Sequence, residues 1–390
     1  MEHRYPAVVR FAIALFVVLL PEPTVIAQAA PPPATQPAPR VLLKLAAFGD
    51  DLAKIDYAKL PEIKGTHAVV CPPDAVLKFQ LHSYLAHYDG KFWCMWSQGP
   101  PVEDEPTQQV RYATSDDGLK WSDPKTLIAP AEEGRGYIAR DFWIREGELL
   151  ALAAHFKGKG AFGVDKELRL EALRWDKGTG TWKPKGLLFD NAINNFAPEK
   201  LPSGQWMTTR RDPRFNVYML IGGKKSFDDW QSIPVVKRLE IKGFLPDEPI
   251  WWPQPDGKLV ALFRDNSGTA RLFHSTSSDN GRTWTPPEKT NYPNATSKLF
   301  SLKTSRGYRV LISNANPGLG RRELHLAISE DGNTFTALGK LNIPMPRAST
   351  LQYPNAIEHD GSLFITFSRN KATIEVFKVA LDDLDALRNK

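Results

Sequence analysis

Cysteine is scarce. Cys71 and Cys94 are the chain's two cysteines among 390 residues, too few for a disulfide framework, and they lack zinc-finger spacing. Pairing between them stays open, beside the alternative that Cys94, set amid Phe92, Trp93, Met95 and Trp96, is a buried small hydrophobe. Dense runs of Lys or Arg are absent too. The formal charge of +6 is dispersed, which gives nucleic-acid binding no support and is compatible with an acidic glycan as partner. Histidines and acidic residues do not cluster at ligand spacing, so neither a metal nor another cofactor is expected. After the first 30 residues no apolar run is long enough to span a bilayer.

The N-terminus has a different character. Arg4 and Arg10 precede an apolar run from Phe11 to Leu20, and Ala27-Gln28-Ala29 offers the small-x-small pattern of a signal-peptidase site. A cleaved signal peptide over 1–29 is expected, followed by a stiff Pro-rich linker over 30–40 and a single domain over 41–390. The product would be secreted or periplasmic, without an integral span after cleavage, and monomeric.

What the chain does have is a repeat. Six turn glycines, Gly90, Gly147, Gly204, Gly257, Gly307 and Gly361, recur at intervals of 50 to 57 residues, each between two strand-like segments. A period near fifty with strands inside it predicts an all-β, six-bladed β-propeller with one four-stranded antiparallel blade per repeat. Blade six runs out of chain after Thr373 to Leu381 and a polar tail, so its missing strand is expected from the segment between Val41 and Val70.

Blade four carries Ser277-Ser278-Asp279-Asn280-Gly281-Arg282-Thr283-Trp284, a full Ser-x-Asp-x-Gly-x-x-Trp match. A second copy reads Thr114-Ser115-Asp116-Asp117-Gly118-Leu119-Lys120-Trp121, with Asp116 at the aspartate position. More decayed copies lie at Asp176 to Trp182, Ser226 to Trp230 and Ser329 to Phe335. Over about residues 70–381 the chain thus resembles the Asp-box (bacterial neuraminidase repeat) sialidase-like propellers. In that family the box is a structural turn between the third and fourth strands, its Trp packing between blades.

Seven residues past each turn glycine lie Ser97, Ala154, Arg211, Arg264, Asn314 and Ser368, positions that should share one rim. Arg211-Asp212 and Arg264-Asp265 repeat in adjacent blades, and paired guanidinium forks suit a sugar carboxylate or sulfate. The opposite side of each hairpin supplies His82, Arg140-Asp141, Asn194-Asn195, Glu248, the 294–298 stretch and Tyr353. The resemblance implies that Glu248 activates Tyr353 as a nucleophile and that Arg264 binds substrate, because a tyrosine at its free pKa needs a neighbouring base. The loop from Ser97 to Gln109 supplies Glu103, Asp104 and Glu105 as candidate acids. The chain has no Arg-Ile-Pro motif, and blade five ends in Ser313-Asn314-Ala315-Asn316, so of the family's arginine triad only Arg264 falls in place.

The candidate catalytic set is therefore Tyr353, Glu248, Asp104 and His82, and the substrate-binding set Arg264, Arg211, Asp265, Asn314, Arg140 and Asp141. Trp143, Trp251 and Trp252 are candidates either for sugar stacking or for blade filler. The expected function is an exo-acting glycoside hydrolase on a terminal acidic or related sugar. A lyase acting on a uronate, with His82 or Tyr353 as base, and a non-catalytic glycan-binding propeller are the alternatives.

Overall fold

A computed structural model describes residues 41–48, 55–132, 134–160, 166–346 and 349–388. The expected signal peptide and linker lie outside them. Six sheets form the propeller, and in each the first two strands are a hairpin closed by one of the six repeat glycines. Blade one pairs Phe79–Tyr88 with Lys91–Gly99, and blade four pairs Pro246–Pro253 with Leu259–Asp265. All six glycines have φ between 67° and 96°, with open space where a Cβ would sit. Backbone conformation, not room, is therefore what selects glycine there.

The ring closes as expected. Thr66–Cys71 pairs antiparallel with Thr373–Ala380 and completes blade six, so the last sheet joins both ends of the propeller chain and leaves no open seam. Blade five is larger than the four-stranded plan, because Leu42–Leu43 and Glu62–Ile63 both add to Thr334–Leu341 in parallel. The polar tail contains a short helix, Leu381–Arg388, whose Leu381, Leu384 and Leu387 are buried at one-turn spacing beside Ile63 and Leu341.

The Asp-box turns work as local caps, with one change of register. Asp279 accepts from the backbone N–H groups of Arg282 and Thr283 and from Ser277 Oγ. In the second copy the same bonds go to Asp117, from Leu119 N, Lys120 N and Ser115 Oγ. Asp116, the residue expected there, is exposed and pairs with Lys91. Ser329, Asp331 and Gly332 repeat this shorter form. The box glycines make the close inter-blade contacts: a Cβ on Gly118 would meet Phe364 at 2.4 Å, and one on Gly281 would meet the Met207 sulfur at 2.6 Å.

The three tryptophans are blade filler. Trp143 packs on Trp206 and Trp230, Trp251 lies in the core shared by blades three and four, and Trp252 donates its indole N–H to Gly332 O of the next blade. Cys71 and Cys94 are both free and buried in one cluster between blades six and one.

Candidate functional site

Four innermost strands share an irregularity that their sequences do not announce. The pairing register skips two residues at 82–83, 140–141, 248–249 and 353–354. Within each skip one residue has left-handed backbone: His82 (φ 56°), Asp141 (φ 90°), Glu248 (φ 43°) and Tyr353 (φ 58°). Such backbone costs on the order of 1–3 kcal/mol per non-glycine residue and persists where the surroundings impose it. The bulges interrupt the ladders at the axis and re-aim side chains into a cavity of about 370 Å³.

That cavity is lined by His82, Glu103, Asp104, Arg140, Arg211, Glu248, Arg264 and Tyr353, joined by Phe215, Asp247 and Asn266. Seven of the ten candidate residues meet there. Asp141, Asp265 and Asn314 do not line it. Asp141 accepts from Phe142 N and Ala197 N behind the wall. Asp265 pins its own turn through Leu245 N, Ser267 and Thr269. Asn314 spends its amide on Glu323 O and Leu351 O. Each is consumed by backbone that needs a partner.

The arginines differ in what they already hold. Arg211 is paired with Asp247, whose second oxygen accepts from Asn266, and its guanidinium lies over Phe215. Arg264 donates to Glu248 at 2.8 Å. Burial pushes the Glu248 carboxyl up, but Arg264, with Lys298 and Arg211 beyond it, overrides that and holds it well below the usual carboxylate range. Arg140 is different. Only 2% exposed, it donates to Asn195 Oδ1 at 3.0 Å, its Nε has no partner, and among the described residues no carboxylate lies within 4.0 Å of it.

On the opposite wall the Tyr353 ring meets His82 edge-on, with centroids 4.8 Å apart. Burial, then Glu248 and Glu103, raise the phenol well above its ordinary pKa, so it rests protonated. Glu103, held ionised, can only accept, so neutral His82 carries its proton on Nε2, facing Glu103 at 3.5 Å, and its Nδ1 accepts from Ser97 Oγ at 3.1 Å, while Ser97 Oγ itself accepts from Ala139 N. Burial would raise Glu103, but hydrogen bonding from His82 and the Lys371 ammonium outweigh it and keep it ionised. Glu105 points elsewhere, to Lys159 at 3.4 Å.

Burial lowers His82 to about 4, with Arg140 and Lys298 adding to it and Glu103 opposing. Because the folded value lies below the unfolded one, the unfolded chain binds more protons between about pH 6.5 and 4, so stability is expected to fall as pH drops through that window. The loss is on the order of 3 kcal/mol for His82. His325, also lowered to about 4 by burial, adds the same sign. Urea melts at pH 7 and pH 4.5 should therefore show a smaller acid-side loss in His82→Gln than in the parent chain; an undiminished loss would sink this account.

One axial group escaped the sequence reading as a site residue. Lys298, fully buried, donates to Tyr84 Oη at 3.2 Å and faces the rings of Phe196 and Tyr353 at 4.8 and 5.5 Å. Burial drives its ammonium down, against Glu248 and Asp141, and burial likewise drives Asp141 up. A count would have found it, since Lys298 lies nine residues before its turn glycine, as Glu248 does. Among the described residues no three His, Cys, Asp or Glu side chains are placed to hold a metal ion.

Residues 90–365 match the model of the BNR repeat-like domain. The chain belongs to that family. Among solved structures, this BNR-family chain superposes on a Dyadobacter fermentans protein of unknown function with a TM-score of 0.62 and 15% identity, over 82% of this chain and 100% of that one. It also resembles the NanB sialidase of Streptococcus pneumoniae (TM-score 0.62, 11% identity, 83% of this chain and 71% of that one). Trypanosoma rangeli sialidase in complex with sialic acid is similar as well (TM-score 0.60, 16% identity, 84% and 59%). At such identities the likeness is one of fold, and this chain spans only part of the sialidase chains. No protein of curated function matches it in sequence. Among the described residues no helix is long and apolar enough to cross a membrane.

Proposed function

We propose that this protein is an exo-acting glycoside hydrolase, exported by the leader expected at 1–29, that removes a terminal acidic sugar from a glycan. The observation that carries the reading is the charge inventory of the axial cavity. Two of its three arginines are neutralised by Asp247 and Glu248, while Arg140 is a buried guanidinium with no carboxylate of the described residues within 4.0 Å. A buried unpaired charge is costly unless a ligand completes it, and a planar carboxylate fits a guanidinium fork.

The remaining side chains suit a double displacement. Tyr353 attacks the anomeric carbon, Glu248 receives its proton, and a carboxyl of the 103–104 loop protonates the leaving oxygen. Glu103 is held ionised by His82 and Lys371, which leaves Asp104, at the same cavity, as the proposed acid. Substrate arriving at Arg264 competes with Glu248 for that guanidinium and raises the basicity of Glu248 when it is needed. The His82 tautomer weighs against elimination with His82 as base, because Ser97 takes its lone pair and its proton faces Glu103.

The test is release of free sugar from glycosides of sialic, glucuronic and galacturonic acid, with matched neutral hexosides. Turnover of an acidic substrate is expected, with Arg140→Gln lowering its kcat/KM by about 100-fold and sparing any neutral substrate. A product absorbing near 235 nm in place of free sugar would replace hydrolysis by elimination, and faster turnover of neutral hexosides would remove the acidic-sugar reading.

A further inference from the structure

The turn at 212–216 separates two cavities. Phe215, with φ 66°, faces the axial cavity and lies over Arg211, while Pro213 and Arg214 face a second cavity of about 600 Å³ between blades two and three. Both open on the face where second strands end and third strands begin, since the turn joins Trp206–Arg211 to Val217–Gly222. The partition is firm. The Asp212 carboxylate accepts from Arg214 N, Asn216 N and Asn216 Nδ2.

The second cavity is lined by Lys166, Arg169 and Arg214 against Glu167, Asp190 and Asp212. Two of the three acids are spent: Glu167 is held by Arg135 and by Lys157 at 2.8 Å, and Asp212 by its own turn. The cations are less so. Among the described residues the Arg214 guanidinium has no carboxylate within 4.0 Å, and Arg169 has only Glu171, at 3.7 Å. With Arg135, Lys157 and Glu171 counted, five cations stand against four carboxylates, so the neighbourhood keeps a positive surplus with two exposed guanidiniums over a void.

We propose that this cavity is a subsite for an anionic unit of the glycan beyond the cleaved bond, recognising a carboxylate or sulfate ester on a sugar of the leaving chain. The assignment rests on the axial cavity holding the terminal sugar. Phe215 then forms the ridge over which the chain passes, and the arginine forks read the charge on its far side. A glycan anionic only at its terminus gains nothing from this surface, so the subsite selects a polyanionic chain.

Calorimetry with the full chain tests this using a tetragalacturonate, which carries carboxylates, a κ-carrageenan tetrasaccharide, which carries sulfates, cellotetraose as the neutral probe, and free galacturonate. At least one anionic tetrasaccharide is expected to bind about tenfold tighter than cellotetraose, with Arg169→Ala/Arg214→Ala cutting that margin to what the axial Arg140 supplies. The tetragalacturonate and carrageenan arms identify the anion. Arg214→Ala alone should lose part of the margin, while Lys224→Ala/Lys225→Ala, an exposed control pair, should keep it. Equal binding of cellotetraose, an unaltered margin in the double variant, or no binding of either anionic probe overturns the proposal. The axial reading fails separately, through free galacturonate binding that ignores Arg140→Gln.

Discussion

Tyr353→Phe is expected to lower kcat on an acidic glycoside by about 10³-fold or more, with little change in substrate affinity or stability. The substitution removes one oxygen and keeps the ring, so the edge-on contact with His82 and the packing on Phe79 and Leu81 persist. Any measured loss is therefore chemical in origin. The reasoning depends on charge order in the cavity. A buried phenol raised by its surroundings is a poor nucleophile alone, and the base that must relieve it, Glu248, is 3% exposed and already ionised. Single-turnover kinetics with equilibrium binding separates the two quantities. Turnover by Tyr353→Phe within a few-fold of the parent would remove Tyr353 from the reaction.

Arg264→Gln has the largest expected effect on folding. Breaking a buried ion pair by removing one partner costs about 3–5 kcal/mol, because the survivor stays buried without its counter-charge. Both side chains of the Arg264–Glu248 pair are well enclosed, at 13% and 4% exposed. The pH dependence supplies a second readout. In the parent chain the Glu248 carboxyl is depressed, so its contribution is present above the unfolded value and is lost as pH falls through the folded one. Without Arg264, burial dominates and the carboxyl rises above its unfolded value. The deficit of the variant should then shrink as pH is lowered toward about 4.5, and Glu248→Gln added to Arg264→Gln should recover part of the stability. A deficit that grows on acidification, or a double variant worse than the single, would show that the pair is not what holds this wall.

The repeat glycines and Asp boxes made the propeller legible because they act locally. A left-handed turn needs glycine, and a capped turn needs Ser and Asp at short spacing, whatever the rest of the fold does. Blade count, hairpin positions and closure by the N-terminal strand followed from them. The same local logic placed one box aspartate at Asp116 where Asp117 accepts the bonds, since a one-residue contraction of the turn leaves the pattern superficially intact.

What the sequence alone determined was the register: it placed Glu248, Arg264, Arg211, Arg140, His82 and Tyr353 at corresponding blade positions, and the structure brings all six to one cavity. Only the tertiary structure decided which of them stay available. Asp141, Asp265 and Asn314 hold corresponding positions yet are spent on backbone partners, and Lys298 enters the axis beneath the ring of Tyr353. The paired arginines of blades three and four are compensated by Asp247 and Glu248, while Arg140, held by Asn195, keeps its charge open. The reason is physical. Register is a property of turns and periods within one chain segment, whereas charge compensation depends on which carboxylates the bulged strand starts deliver within 4.0 Å, from the same blade for Arg264 and from the next blade for Arg211.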